Sequence, residues 1–264
     1  MMKVGLIEPV GGHGGMNYYD YSLAKGLSGS GVSVNWYTCD KTSEVSSEYV
    51  KVFKLFNGVF GHFPKIIRFF LFCIGLILTL VHARFTKCNL VHLHFFHFGA
   101  IEFIMVIASK VFLFPVVITV HDVESFSGQS FGFFEKIIIF FTNFFIVHNQ
   151  ISKKSLLMRH KNIAEKVEVI PHGDYGAYVR EKDCSLSKAV VGVDPSKMNF
   201  LFFGQIKKVK GLMTLLHAIA DLRNRGIDGF MLTIAGKVWK DSFNSYQKYI
   251  DDNIEELVLL LKLQ

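Results

Sequence analysis

Lys3 to Ser28 reads KVGLIEPVGGHGGMNYYDYSLAKGLS, and this stretch decides the fold. It opens with a short apolar run of strand length, KVGLIEP. A glycine-rich turn, Gly11 to Asn17, follows at once, and a helix is predicted from Asn17 to Ser28. Glycines in such a turn let the backbone come close to a ligand, and the helix N-terminus beyond offers unpaired N–H groups to an anion. A tight strand–helix turn needs some glycine in any case. A dinucleotide fingerprint would set three glycines as G-x-G-x-x-G, with an acid near the end of the second strand. Gly12 and Gly14 fit it, Asn17 breaks it, and Asp40 lies close to where the acid belongs.

The same alternation continues outward from this unit. Apolar strand candidates recur as VSVNWYT, NLVHLHFF, VVITVHD, FFIVHN and VEVIPH. Helix-length segments separate most of them: Pro64 to Arg84, Gly99 to Phe112, Phe131 to Asn143 and Ile151 to Lys161. Apolar strands spaced by helices predict a parallel sheet covered on both faces, so residues 1–175 read as a Rossmann-like α/β domain. A polar linker, 176–197, follows. The pattern then restarts over 198–264 with a strand NFLFFGQI, a helix LMTLLHAIADLRN, a strand FMLTIAG and a further helix over Ser242 to Leu263. That is too few elements for a second complete sheet.

Composition agrees with a folded protein. Of 264 residues half are hydrophobic and 27 are Phe, far more apolar surface than a disordered chain carries. The net charge of +7 suits nucleic acid, an anionic membrane surface or phosphorylated small molecules. Cys39, Cys73, Cys88 and Cys184 form no C-x-x-C pair, and the N-terminus lacks the apolar core of a signal peptide; a reduced, cytoplasmic protein is expected. The run FFLFCIGLILTLV, Phe69 to Val81, is shorter than the roughly 20 residues that span a bilayer. It reads as a buried helix or as one lying in a membrane interface, with Lys65, Arg68 and Arg84 near lipid phosphates.

Three further stretches carry chemistry. HLHFFH groups His92, His94 and His97, with His92 and His94 on one face of a strand. No Cys or carboxylate stands close by in sequence, so a polar cleft wall is expected rather than a metal site. TVHDVES ends an apolar strand in His121 and Asp122, where open α/β sheets bind ligands. A histidine there can hydrogen-bond a hydroxyl or move a proton, or it can simply be exposed beside a capping Asp122. FFGQIKKVKG, Phe202 to Gly211, sets Lys207, Lys208 and Lys210 on a turn between strand and helix, as solvated loop residues or as a seat for an anion.

VGLIEPVGGHGGMNYYDYSLAKGL, ITVHDVESF, VIPHG, FFGQIKKVKGLMTLLHAIADL and LTIAGK occur in this order. In order and spacing they resemble the group 1 (GT4-type) glycosyltransferases of GT-B fold, over nearly the whole chain. The resemblance implies an α/β protein of GT-B type, two Rossmann-like domains facing across a cleft. It implies transfer of a sugar from a nucleotide-sugar donor to an acceptor with retention, with no cofactor and no required metal. By the same resemblance Gly204, Gln205, Lys207 and Lys210 grip the donor diphosphate from the second domain. Gly15 and its neighbours approach it from the first, and His121 contacts the transferred sugar as the catalytic histidine. Gly12, Gly14, Asn17 and His94 fall on the acceptor side.

Two departures stand out. Gln205 replaces the arginine that many relatives carry, and lysine lacks arginine's two-pronged contact. The family's two glutamates separated by seven residues are missing, since no Glu here has another eight positions on. An incomplete donor domain is therefore expected.

The reading is a cytoplasmic, retaining hexosyltransferase of polysaccharide biosynthesis at the inner face of the cell membrane. Its acceptor is a glycan or a polyprenyl-diphosphate-linked sugar, it touches the membrane peripherally, and it takes no nucleic acid. The rivals are a non-catalytic remnant that binds glycan or membrane, and a Rossmann nucleotide-cofactor oxidoreductase or epimerase, which the broken fingerprint disfavours.

Overall fold

The structure is a computed structural model and describes residues 1–12, 15–42, 44–45, 47–121, 132–174, 194–236, 246–248, 250 and 257–260. The chain divides into two compact units, Met1–Arg180 and Glu181–Gln264.

The first unit carries strands β1 (Lys3–Ile7), β2 (Ser33–Thr38), β3 (Val50–Lys54), β4 (Leu90–Phe95), β5 (Val116–Val120), β6 (Phe144–Val147) and β7 (Val167–Val169). Its helices are α1 (Gly15–Gly29), α2 (Lys65–Phe85), α3 (Ala100–Val111), α4 (Gly132–Phe141) and α5 (Gln150–Arg159). The sheet runs β3-β2-β1-β4-β5-β6-β7 and every pairing is parallel. The chain thus starts in the middle, builds outward to β3 and returns to the far side of β1. The reversal between β1 and β4 is a topological switch point, and crevices form there beyond the carboxyl ends of the strands.

Side chains alternate across the sheet. Leu6, Val34 and Trp36 pack in one core with Ala24 of α1. Ile7 and Tyr37 face the other way, into a larger core with Phe72 and Leu76 of α2 and Met105 of α3. Full burial of such side chains stabilises by roughly 1.5–3 kcal/mol each.

β3 is an element that the sequence pattern left unread. It is an edge strand, paired only with β2, and alternates Val50, Val52 and Lys54 with Lys51 and Phe53. Val50 and Val52 pack on one side and Phe53 stacks on Tyr37 on the other, but Lys51 and Lys54 break up any continuous apolar run. α2 is also longer than its apolar run: 21 residues, with Lys65 and the segment His82–Phe85 joining the helix. Cys39, Cys73 and Cys88 are free thiols, and Cys184 lies outside the described residues.

The second unit has β8 (Met198–Phe203), β9 (Phe230–Ala235) and β10 (Leu257–Leu260) in a parallel sheet ordered β10-β9-β8. α6 (Leu212–Asn224) packs Leu212, Leu216 and Ile219 against Leu232 and Ile234 of β9. The helix expected over Ser242 to Leu263 is corrected here: Tyr246–Lys248 is helical, but Leu257–Leu260 is a strand hydrogen-bonded to β9. A four-residue apolar run cannot declare helix or strand by periodicity, and the open edge of β9 decides it.

Candidate functional site

The carboxyl ends of β1, β4, β5 and β6 converge on a group of histidines. His92 and His94 point to one face of β4 and stack with ring centroids 4.9 Å apart. Both are buried. His121 follows β5 and is held by its backbone N–H, which donates to the Phe95 carbonyl at 2.9 Å. Its ring lies flat on Phe96 at 4.9 Å. His148 follows β6, and His172 follows β7. Tyr19 of α1 stands among them, edge-on to His94, His121, His148 and His172 at 4.7–5.6 Å.

The hydrogen bonds in this group have a direction. His148 Nδ1 lies 3.1 Å from the Ile170 carbonyl, which only accepts, so Nδ1 carries the proton. In neutral His148, Nε2 is then an acceptor, and His121 Nδ1 donates to it at 3.3 Å. His121 Nε2 in turn accepts from His94 Nδ1 at 2.9 Å. His94 Nε2 is left as a bare lone pair facing Asp20 Oδ1 at 3.7 Å, and both atoms are buried without a hydrogen-bond partner. Two lone pairs cannot face each other at low cost, so Asp20 sits there as the neutral acid.

Electrostatics point the same way. Burial pushes the Asp20 carboxyl well above its usual range, and the neighbouring Glu8 adds to the rise. Burial also lifts Glu8, to about 7. Loss of water lowers His92 to about 4 and His121 to about 3, and lowers His94 and His148, with neighbouring histidines contributing for His94 and His121. His92 Nε2 is satisfied by Thr119 Oγ1 at 2.8 Å. Near neutrality the four histidines carry no charge. The site is an uncharged wall of rings whose nitrogens are largely spent on one another, with no cation among them to draw an anion.

The histidines predicted at His94 and His121 therefore do meet, but His94 lies buried behind His121 and supports it. His97 is apart, 3.3 Å from Glu102 at the start of α3. Asp40 is exposed just past β2. Gly14 and Asp122 lie outside the described residues. Among the described residues no group of three metal-ligating side chains forms. His148, His172, Tyr19, Asp20 and Glu8 were not foreseen. The rule that singled out His121, a polar residue just beyond an apolar strand, also marks His148 in FFIVHN and His172 in VIPHG. Asp20 and Asn17 share the buried face of α1, a place where apolar side chains are the norm.

The first glycine turn has two kinds of glycine. A Cβ on Gly11 would come within 2.7 Å of Thr38 Oγ1 and 3.1 Å of Asp20 Oδ2, and one on Gly12 within 2.4 Å of the Lys41 backbone. Packing within the protein demands these two. A Cβ on Gly15, the first residue of α1, meets nothing within 4 Å.

The second unit carries its own turn. Gly204 ends β8 at φ +132° with open space where a Cβ would be. Its carbonyl oxygen would be 1.8 Å from a Cβ on Gly236, so that position too must be glycine. Ile206 is fully buried and pins the turn, while Gln205, Lys208 and Lys210 are exposed and Lys207 half-exposed. Gly211, at φ +73°, closes a short 3-10 turn, Lys208–Lys210, and starts α6. The turn combines open backbone with positive charge.

A complete Rossmann-like unit, a switch point lined with neutral histidines and the start of a second α/β unit define a protein of GT-B fold. The family model of Glycosyltransferase Family 4 matches residues 13–173, well over half of the sequence, and the chain belongs to that family. It is 26% identical over 247 residues to the D-inositol 3-phosphate glycosyltransferase of Segniliparus rotundus. That match takes in 86% of this chain and 54% of the relative, so the chain spans about half the relative's length. Among solved structures it resembles the sucrose-phosphate synthase of Thermosynechococcus elongatus, at TM-score 0.69 and 15% identity, covering 100% of this chain and 71% of that one. It likewise resembles the catalytic domain of starch synthase IV from Arabidopsis thaliana bound to ADP and acarbose, at TM-score 0.69 and 12% identity, covering 100% and 74%. At such identities the likeness is one of fold.

Proposed function

We propose that the chain serves sugar transfer from a nucleotide-sugar donor to a glycan or polyprenyl-diphosphate-linked acceptor, with retention of anomeric configuration, in polysaccharide assembly. The observation that carries this reading is the uncharged histidine wall at the switch point of a family 4 chain. In this reading His121 meets the sugar through its ring, which His94 and His148 lock in one tautomer. With both nitrogens engaged it offers uncharged ring surface, and holding it neutral keeps that surface free of competing anions. Gly204, Gln205, Lys207 and Lys210 take the donor diphosphate, the lysines as point charges that stabilise the leaving group. Gly15 offers open backbone at the start of α1 to a phosphate group. Gly12 acts by packing the turn, and Asn17 by lining α1's inner face.

Incubating the full chain with a panel of nucleotide sugars and candidate acceptors tests the reading. Acceptor-dependent release of nucleoside diphosphate is expected, with an unchanged anomeric centre by NMR. If nucleoside diphosphate binds but no sugar moves, the chain is a binding module and the transfer reading fails. If neither occurs, the diphosphate seat fails as well.

A further inference from the structure

α2 is built the wrong way round for a helix that meets water. Its inward face, Phe72, Gly75, Leu76, Thr79, Leu80 and Ala83, is buried at helical spacing. The only polar residue of the Phe69–Val81 run, Thr79, is therefore spent on the inside. The outward face is Ile66, Ile67, Phe70, Ile74, Ile77 and Leu78, all exposed, with Phe70 at 61%. A helix over a soluble core normally turns charged and polar residues outward. Scattered exposed apolar residues are ordinary; a contiguous patch of this kind marks an interaction site.

The patch extends past α2. α3 packs beside α2, and α4 beside α3. Arg84 Nε donates to the Phe112 carbonyl at 2.6 Å, and its guanidinium lies over Phe114, which ties the end of α2 to the end of α3. Phe85 at 82% exposed and Leu113 at 79% belong to this junction. Phe133 and Phe140 of α4 are exposed in the same helical layer.

Charge selects the occupant. Between Glu48 and Glu102 the sequence has no Asp or Glu, yet it has Lys51, Lys54, Lys65, Arg68, Arg84 and Lys87. Arg68 is held at the start of α2, with Nε donating to the Val59 carbonyl at 2.7 Å. Arg84 is held at the other end. Sixteen residues of helix separate them by about 24 Å. An apolar face with fixed cations at both ends and no anion between is complementary to lipid headgroups over acyl chains. The inner leaflet of a cell membrane carries the matching negative charge.

Length alone would let α2 cross a bilayer, since 21 residues of helix rise about 31 Å against an apolar thickness of about 30 Å. Packing forbids it. A Cβ on Gly75 would come within 2.7 Å of the Leu55 carbonyl, so the helix backbone lies directly on the chain beneath it. Spanning would also strip Phe72, Leu76 and Leu80 from the core.

We propose that the outward face of α2, with the exposed ends of α3 and α4 beside it, docks the protein onto an anionic bilayer, α2 lying flat in the interface. This holds whether or not the chain transfers sugar, and its test uses no sugar. The full chain is sedimented with phosphatidylcholine vesicles and with mixed phosphatidylcholine–phosphatidylglycerol vesicles. Binding to the mixed vesicles is expected, weakened by high salt and reduced about tenfold or more in R68E/R84E. Ile74→Ser/Ile77→Ser, at exposed positions, should lose binding while keeping the wild-type melting temperature. Equal indifference to both vesicles overturns the proposal. So does a dimer in solution that Ile74→Ser/Ile77→Ser dissociates, because the face would then belong to a second copy. Resistance to both salt and alkaline extraction would overturn it in favour of a spanning helix.

Discussion

The two glycine turns, Gly11–Gly15 after β1 and Gly204–Gly211 after β8, look alike in sequence and differ in what they are made for. The first is packed. Gly11 and Gly12 are glycines because Thr38, Asp20 and the Lys41 backbone leave no room, and the Asp20 carboxyl behind them is buried and pushed well above its usual range. The second is open: Gly204 and Gly211 take positive φ with free space where a Cβ would be, and Lys208 and Lys210 are exposed. The difference teaches that a glycine-rich strand–helix turn is not one device. Burial makes an uncharged surface whose hydrogen bonds run in fixed directions. Exposure leaves a turn of open backbone and positive charge, the one proposed to take phosphate.

Substitution at the glycines should separate the two kinds most strongly. Gly12→Ala forces a methyl into the Lys41 backbone and should destabilise the protein by about 3 kcal/mol. Gly15→Ala, with nothing within 4 Å, should leave stability within about 0.5 kcal/mol. Urea unfolding of both variants checks this, and equal losses would erase the distinction.

Asp20 is the next point of leverage. If it is the neutral acid assigned above, Asp20→Asn can donate its amide N–H to His94 Nε2 and should cost under about 1 kcal/mol. Asp20→Ala removes the carboxyl facing that nitrogen and opens space, for about 2–3 kcal/mol. Were Asp20 an anion paired with charged His94, Asn would instead cost about 3–5 kcal/mol. Thermal melts of the two variants decide between these assignments.

The first site should also set the pH dependence of stability. Buried His92 and His121 resist protonation in the fold, at about 4 and about 3, but take up protons near 6.5 once unfolded. Their contribution is complete above that pH and is lost as the pH falls. Glu8, raised to about 7 from 4.5, acts in the opposite sense: its contribution is complete below about 4.5 and is lost as the pH rises to 7. Asp20 acts as Glu8 does, and four lowered histidines outnumber the two carboxyls. Stability should therefore rise from pH 5 to 6.5, by about 1.4 kcal/mol per unit for each net proton taken up on unfolding. Glu8→Gln removes an opposing contribution and should steepen the slope. A flat profile in both proteins would mean that the histidines titrate normally in the fold.

Much of this architecture was legible in the chain. Continuous apolar strands between helices gave the parallel sheet, and the leucine spacing from Leu212 to Leu222 marked α6. β3 was hidden because an edge strand alternating with Lys51 and Lys54 reads as a loop. Leu257–Leu260 was misread because its state is set by the open edge of β9, far away in sequence. In the site, His92, His94 and His121 were visible one by one. Their linkage was not, since the register of β4 against β5 is what brings His94 to His121 across 27 residues. The neutrality of Asp20 was invisible as well, because it follows from burial, which no local pattern records.

The central claim is the division of labour between a neutral histidine wall and a charged lysine turn. Calorimetry of the full chain with a nucleoside diphosphate tests it most directly, comparing wild type, Lys210→Ala and His121→Asn at low and high salt. Lys210→Ala should weaken binding about tenfold, roughly 1.4 kcal/mol, with a shallower salt dependence. His121→Asn should bind the diphosphate as wild type does. If His121→Asn loses the diphosphate as Lys210→Ala is expected to, or if Lys210→Ala binds as tightly as wild type, the division does not exist.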